Sequence, residues 1–212
     1  MSRLRVKVCG VTRPPDAEAA VELGVDLVGV NLWPGSPRAV SVAQARDIAA
    51  AVAGAATLVG VFVRQGAEVA AAMAAAALDL AQLHGDEGPP EVAALEGRAI
   101  KVFRVADAFD PRQLAPYQQA WGFLFDCRHP RLWGGSGEGW RFEAVRGLPA
   151  GKPILVAGGV RPGRVGEVLR RCAPWGIDVC SGVESAPGIK DHDLMRQLFE
   201  EVREHEQEHQ PA

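Results

Sequence analysis

Two side chains that can exchange protons stand where apolar runs of the sequence end. Cys9 closes the run Leu4–Cys9, and Asp126 closes the run Gly122–Asp126. Alone, a buried thiol often serves as a small apolar side chain, and an Asp at a strand end often starts a turn. Across one cavity, a thiolate and a carboxylic acid would act as base and acid in proton transfer. Cys9 and Asp126 are therefore the candidate catalytic pair.

Two glycine-containing segments late in the sequence suggest phosphate binding. Gly158 and Gly159 follow one apolar run, and Ser181 and Gly182 stand at the end of the next. Glycine lets the backbone approach a ligand closely, and unpaired N–H groups at a helix start attract anions. Either segment alone fits a tight turn, but their occurrence on successive runs predicts a phosphate site.

These side chains are positioned by eight short apolar runs that alternate with helix-like stretches. The runs start roughly 20 to 32 residues apart, the length of a strand plus a crossover helix. We predict an α/β fold, a single (β/α)8 barrel over residues 1–204 with a polar tail at 205–212; a doubly wound open sheet is the alternative. The predicted strands are Leu4–Cys9, Val25–Leu32, Thr57–Val63, Leu78–Leu83, Ala99–Phe103, Gly122–Asp126, Pro153–Ala157 and Ile177–Ser181.

Helix signals fill the gaps between the runs. Ser41 and Gln44 have the spacing of a capping box, and Ala67–Ala77 favours a helix by propensity. Pro116 weakens the stretch after the fifth run. Active sites of such barrels lie at the C-terminal ends of the strands, so the polar residues that end the runs should share one mouth.

Composition narrows the class of protein. The 212 residues are 48% hydrophobic and 23% charged, which is ordinary for a globular protein. A net charge of −3 argues against nucleic acid as a partner. The four cysteines show neither C-x-x-C nor zinc-finger spacing, and no run has the length of a signal peptide or a membrane span. We expect a reduced, cytoplasmic protein without a metal or a membrane partner.

The ordered set of motifs resembles the phosphoribosylanthranilate isomerase family of tryptophan biosynthesis. The resemblance runs from the first strand to the start of the last helix, and its specificity lies in the order and spacing of the motifs. They are Val8–Gly10, Asn31–Arg38, Gly60–Val63, Gln82–Glu87, Asp126 with Gly134–Gly137, Ala157–Gly159, Asp178–Glu184 and Gly188–Asp191.

The resemblance implies an Amadori rearrangement of an aminoaldose to an aminoketose, without a cofactor. Asp126 would protonate the ribose ring oxygen, and Cys9 would take the proton from C2. Asp126 would then need a pKa above the ordinary value of about 3.9, and Cys9 one that leaves some thiolate against an ordinary value of about 8.5. A nearby positive charge would favour that thiolate, and the iminium of the substrate is one source.

The resemblance also implies the substrate contacts. Arg38 would bind the anthranilate carboxylate through its planar fork. Gln82, His84 and Asp178 would contact the substrate; His84 would polarise it or only donate structural hydrogen bonds, and Asp178 would stabilise its nitrogen. A lid loop would contain Gly134, Gly135 and Gly137. The expected partner is a small phosphorylated substrate, and the protein would be a monomer or a homodimer.

Two cysteines depart from the family pattern. Cys127 replaces a small hydroxyl residue, and Cys180 replaces a serine; both are expected to be inert core thiols. Three other functions compete with the family reading: a histidine-pathway barrel isomerase, a Schiff-base aldolase, and a catalytically silent barrel. The first would use a carboxylate where Cys9 stands, and the second would need a lysine at a strand end. The third is opposed by the intact set of Cys9, Arg38 and Asp126.

Overall fold

Eight parallel strands close into a barrel in which each strand pairs with its neighbours in chain order, which confirms the predicted (β/α)8 architecture. The computed structural model describes residues 3–105, 108–126, 142–148 and 151–208. The barrel closes through β8, which pairs with β1. The strands are β1 Arg5–Val8, β2 Leu27–Asn31, β3 Thr57–Phe62, β4 Leu80–Leu83, β5 Ala99–Arg104, β6 Gly122–Asp126, β7 Ile154–Ala157 and β8 Gly176–Val179.

Helices cover the outside of the barrel. The predicted capping box begins the second helix, where Gln44 N donates to Ser41 Oγ at 3.2 Å and Ser41 N donates to Gln44 Oε1 at 2.9 Å. The stretch that contains Pro116 forms a 3-10 helix, because proline lacks the N–H that an α-helix needs. The α-helices are α1 Pro14–Glu22, α2 Val42–Val52, α3 Glu68–Ala76, α4 Pro89–Ala93, α5 Val165–Cys172 and α6 His192–Glu208; the 3-10 helices are Pro111–Tyr117, Phe142–Val145 and Ser181–Val183.

The interior of the barrel is apolar at one end and polar at the other. A buried apolar cluster fills the barrel interior away from the C-terminal strand ends; it includes Leu27, Val59, Leu124 and Leu155. Nearer the C-terminal strand ends, the interior positions hold polar side chains, three of which are buried: Lys7, Gln82 and Asp178. Within the described ranges, no helix has both the length and the apolarity needed to cross a bilayer.

An additional hairpin follows β8 and was not predicted. Strands β9 Glu184–Ala186 and β10 Ile189–Lys190 pair in an antiparallel manner. Their turn contains Gly188 at φ +82°, a left-handed conformation that glycine adopts without strain. The hairpin is short, but it carries two charged residues to the mouth of the barrel.

Candidate active site

Cys9 lies directly after β1, at the polar mouth of the barrel. Its backbone N donates to Val179 O at 2.8 Å, and 8% of the residue is exposed. Its Sγ approaches the Lys7 ammonium near Gly29: a Cβ at Gly29 would lie 3.0 Å from the Cys9 Sγ and 3.3 Å from the Lys7 Nζ. Glycine at position 29 therefore leaves the space that this pair needs.

The surroundings of Cys9 favour its thiolate. A hydrogen bond with Cys180 lowers the pKa of Cys9 well below its usual value; burial opposes this, and the Lys7 and Lys190 ammonium groups add to the lowering. The sequence suggested the substrate iminium as one source of positive charge. The chain itself supplies two cations, so the thiolate does not depend on the substrate.

Lys7 is fully buried and connects three strands. Its Nζ donates to Gln82 Oε1 on β4 and to Asp178 Oδ1 on β8, both at 2.8 Å. Although burial opposes its charge, Asp178 and Cys9 raise the pKa of Lys7 above its usual value. Burial raises the pKa of Asp178 to about 6 against the opposing effect of Lys7, so the carboxylate is ionised at neutral pH.

The orientation of Gln82 fixes the tautomer of His84. An ammonium group can only donate, so the Gln82 atom that meets Lys7 is the carbonyl oxygen and its NH2 group points to His84. Gln82 Nε2 lies 3.0 Å from His84 Nδ1, which must then accept and leave the ring hydrogen on Nε2. That Nε2 lies 3.9 Å from Asp126 Oδ2. A line of side chains therefore joins β1 to β6 across the mouth.

Asp126 ends β6, as the sequence predicted, and its register partners are Arg104 on β5 and Ala157 on β7. Its side chain is 28% exposed, and it faces His84. The carboxyl group is thus reachable by a small ligand in the mouth while it contacts a ring that can donate to it.

Arg38 lies over the backbone beside Cys9. A Cβ at Gly10, which has φ +71°, would stand 2.6 Å from the Arg38 Cδ, so this close approach requires glycine. Glu184 on β9 binds the guanidinium bidentately: Arg38 Nε donates to Oε1 at 2.8 Å, and Nη2 donates to Oε2 at 2.6 Å. Burial raises the pKa of Glu184, but Arg38 and Lys190 outweigh it and hold that pKa below its usual value.

The two predicted phosphate segments meet. Gly158 and Gly159 follow β7 with φ of +95° and +79°. Gly182 lies in the 3-10 helix that follows β8, and a side chain at this position would collide with the carbonyl oxygen of Val160. The close contact of these two loops brings Gly158, Gly159, Ser181 and Gly182 to one side of the mouth.

Three residues of the mouth were missed as site residues. Lys7 was not among the predicted site residues, although it stands two positions before Cys9, a spacing that places both side chains on one face of β1. Glu184 and Lys190 lie in the β9–β10 hairpin, and Lys190 Nζ donates to Glu184 Oε1 at 2.9 Å. Both residues lie in the family motifs Asp178–Glu184 and Gly188–Asp191, but no pattern in the neighbouring residues predicts that they form an ion pair.

The expectation that Cys180 is a core thiol was wrong, because Cys180 is partly exposed at the mouth beside Cys9. That it is chemically inert stays a prediction. Cys127 and the expected lid residues Gly134, Gly135 and Gly137 lie outside the described residues. Among the residues that the structure describes, no group of three or more His, Cys, Asp or Glu side chains is arranged to hold a metal ion. The mouth thus combines a thiolate, a carboxyl group and glycine-rich loops suited to an anion.

Comparisons with known proteins agree with this chemistry. The profile of a family described as N-(5'phosphoribosyl)anthranilate (PRA) isomerase matches residues 6–201. The N-(5'-phosphoribosyl)anthranilate isomerase of Acidithiobacillus ferrooxidans is 42% identical over 205 residues, which cover 96% of this chain and 99% of that protein.

Solved structures show the same likeness. The phosphoribosyl anthranilate isomerase from Thermus thermophilus superimposes with a TM-score of 0.84 at 37% identity, and the match covers 95% of this chain and 99% of that one. A second isomerase structure, in complex with reduced 1-(o-carboxyphenylamino)-1-deoxyribulose 5-phosphate, has a TM-score of 0.81 at 28% identity with the same coverage. The chain therefore belongs to the N-(5'-phosphoribosyl)anthranilate isomerase family, and it is an isomerase of tryptophan biosynthesis.

Proposed function

We propose that this chain isomerises N-(5'-phosphoribosyl)anthranilate with Cys9 as the general base and Asp126 as the general acid. The observation that carries this assignment is the environment of Cys9, where the Cys180 hydrogen bond and the Lys7 and Lys190 cations lower the pKa of the thiol. A general base needs a deprotonated form at the working pH. These groups favour the thiolate form of Cys9 before any substrate binds, which supports its role as the base.

Each proton has a donor and an acceptor in this proposal. Asp126 gives its proton to the ribose ring oxygen, the C1–O bond breaks, and the anthranilate nitrogen becomes a protonated Schiff base. Cys9 then removes the proton from C2, and the electrons of that C–H bond neutralise the iminium to give an enolamine. Tautomerisation of the enolamine yields 1-(2-carboxyphenylamino)-1-deoxyribulose 5-phosphate.

His84 and Asp178 act beside this pair. His84 Nε2 lies 3.9 Å from Asp126 Oδ2, which supports a positioning role for His84 once Asp126 has lost its proton. Asp178 stays ionised at neutral pH beside Lys7, so its charge can stabilise the cationic nitrogen of the Schiff base. Gln82 holds Lys7 and His84 in these orientations.

The two anionic ends of the substrate are assigned to two different groups of residues at the mouth. The loops at Gly158, Gly159, Ser181 and Gly182 would hold the phosphate through backbone N–H groups. Glu184 occupies the Nε edge of the Arg38 guanidinium, so the edge formed by Nη1 and Nη2 would receive the anthranilate carboxylate. Glu184 thus orients Arg38 without using its whole donor set.

The test compares wild type with Cys9→Ala and Asp126→Asn, using phosphoribosylanthranilate generated in situ and following anthranilate fluorescence. Removal of a general acid or base typically costs about 10²–10⁴-fold, so we expect both variants to lose at least about 100-fold in kcat. Cys172→Ala and Asp110→Asn are matched controls that remove a buried thiol and an exposed carboxylate elsewhere. Binding of the reduced product analogue should persist in both inactive variants. An unchanged rate in Cys9→Ala would refute the assignment of the base.

A further inference from the structure

Cys9 and Cys180 are adjacent residues on two paired strands. Val8 and Val179 are register partners at the ends of β1 and β8, and each cysteine is the next residue. Cys9 N donates to Val179 O at 2.8 Å, which keeps the two strand ends in register beyond that last pair. The pKa of the Cys9 thiol is lowered and that of the Cys180 thiol is raised because the two side chains interact at this strand end, and Cys180 Sγ also lies 3.9 Å from Glu184 Oε1.

A single lysine holds the two cysteine backbones together. Lys190 Nζ donates to Cys9 O at 2.6 Å and to Cys180 O at 3.3 Å. Neighbouring strands lie about 4.8 Å apart, and disulfides form at Cα–Cα distances of about 4.4–6.8 Å. The backbone spacing at this point is therefore within the range that a disulfide accepts.

The third described cysteine differs in each of these respects. Cys172 is buried in α5, where its Sγ donates to Val168 O at 3.2 Å. Burial raises the pKa of Cys172 to about 12, so it stays a thiol at neutral pH. Reactive cysteines are thiolates with solvent access and a neighbouring resolving thiol. Cys9 is only 8% exposed, but it lies at the open mouth of the barrel beside a second thiol, whereas Cys172 is packed in α5.

We propose that Cys9 is a site of oxidation by hydroperoxides and that Cys180 resolves the product as a reversible disulfide. The Cys9 thiolate attacks the terminal oxygen of the hydroperoxide, an S–O bond forms, the O–O bond breaks, and the other oxygen leaves as hydroxide from hydrogen peroxide or as alkoxide from an organic hydroperoxide. Cys180 then attacks the sulfenic sulfur; the S–S bond forms, the S–O bond breaks, and water leaves with the thiol proton. The peroxide is reduced by two electrons, and the two cysteines are oxidised by two.

The disulfide would switch the enzyme off without damaging it. A sulfenic acid that meets no thiol is oxidised further to sulfinic acid, which ordinary thiols do not reduce. With Cys180 beside it, Cys9 would be returned to the thiolate by a dithiol reductant. The loss of activity rests on the proposed role of Cys9 as the base, whereas formation of the disulfide does not.

The test treats the full chain with hydrogen peroxide and measures intact mass, peptide cross-links and activity, before and after dithiothreitol. We expect wild type to lose about 2 Da, to yield a peptide pair joined through Cys9 and Cys180, and to regain its activity on reduction. Cys180→Ser keeps a hydroxyl beside Cys9 but cannot form the bond. We expect this variant to gain about 32 Da at Cys9 and to lose activity that dithiothreitol does not restore.

Each variant is compared with its own untreated rate, and Cys172→Ala should respond as wild type does. A cross-link from Cys9 to Cys127 or Cys172, or full recovery of peroxide-treated Cys180→Ser, would overturn the inference. A Cys9–Cys180 disulfide that leaves activity intact would support the modification site and would instead refute the proposed base. The two proposals can therefore fail separately.

Discussion

Lys7 and Asp178, which are 171 residues apart, form a buried ion pair 2.8 Å long between β1 and β8. Lys7 and Asp178 are register partners, and each stands two residues before Cys9 or Cys180 on the same strand. Its ammonium also contributes to the low pKa of Cys9. The ion pair that joins the first and last strands of the barrel thus also favours the thiolate form of the proposed base.

Replacing Lys7 should move the pH dependence of the reaction. In Lys7→Met the thiolate loses one of its two neighbouring cations, so the pKa of Cys9 rises. Activity that requires the thiolate increases as pH rises through that pKa, so the acidic limb of kcat/KM should shift to higher pH. The pH profile of kcat/KM, measured beside wild type, checks this expectation.

The same substitution leaves Asp178 without its partner, which typically costs about 3–5 kcal/mol for a buried pair. Lys7→Met with Asp178→Asn removes both charges and should recover much of that stability. Because Asp178→Asn also removes a negative charge that opposes the Cys9 thiolate, the pH test uses Lys7→Met alone. A wild-type acidic limb in Lys7→Met would show that Lys7 has no part in setting the charge of Cys9.

Gln82→Glu should remove the hydrogen bond that orients His84 while keeping the one that accepts from Lys7. The carboxylate still accepts from Lys7, but it cannot donate to His84 Nδ1 as the amide does. We expect the ring hydrogen of His84 to move to Nδ1 and kcat to fall by about 10-fold, the size of a change of about 1.4 kcal/mol in the barrier. Steady-state kinetics and an NMR assignment of the His84 tautomer test this; an unchanged tautomer with an unchanged kcat would contradict it.

Arg38→Ala should raise KM with a smaller effect on kcat, because the guanidinium is assigned to a carboxylate remote from the reacting C1 and C2. Loss of a charge-assisted hydrogen bond of about 1.5–3 kcal/mol corresponds to at least about a tenfold rise in KM. Arg112→Ala, which removes an arginine whose side chain is 90% exposed, is the matched control. Equal KM values in the two variants would show that Arg38 does not bind the substrate.

Asp16 should make the hairpin that carries Lys190 sensitive to acid. Its buried carboxylate accepts from Arg13, His192 and Lys190 N. Burial raises the pKa of Asp16, but these hydrogen bonds outweigh it and lower the pKa on balance. A lowered pKa gives stability that is present above the unfolded value of about 3.9 and is lost as pH falls through the folded value.

Asp16→Asn should therefore destabilise the protein by about 1–3 kcal/mol at pH 7 and by less at acidic pH, where wild type loses the same contribution. Urea unfolding of both proteins at neutral pH and near pH 3 measures the difference. A difference that does not shrink in acid would show that the carboxylate charge is not what stabilises this region.

The strands and the candidate pair could be predicted because they are local features. The run Gly122–Asp126 and the capping box at Ser41 depend on neighbours within a few residues, and the strand-end rule then places Cys9 and Asp126 at one mouth. The alternation of side chains along a strand also suffices to place Lys7 on the same face as Cys9. The other strand boundaries lie within two residues of the prediction, and where they differ, ladder pairing rather than apolarity decides the end.

The missing parts of the site depend on closure of the barrel. Lys190 reaches Cys9 O across 181 positions, and Arg38 reaches Glu184 across 146. No local pattern signals such pairs, because each residue alone fits a solvated loop charge. Cys180 was misjudged for the same reason, since its partner Cys9 is brought to it only when β8 meets β1.

The central claim is that Cys9 is a thiolate base in the resting enzyme, and the most direct measurement is its titration by ultraviolet absorbance, with Cys9→Ala as the blank. We predict a midpoint well below the ordinary thiol value of about 8.5 that coincides with the acidic limb of kcat/KM. A Cys9 that titrates at or above the ordinary value, with an acidic limb at a different pH, would contradict the account.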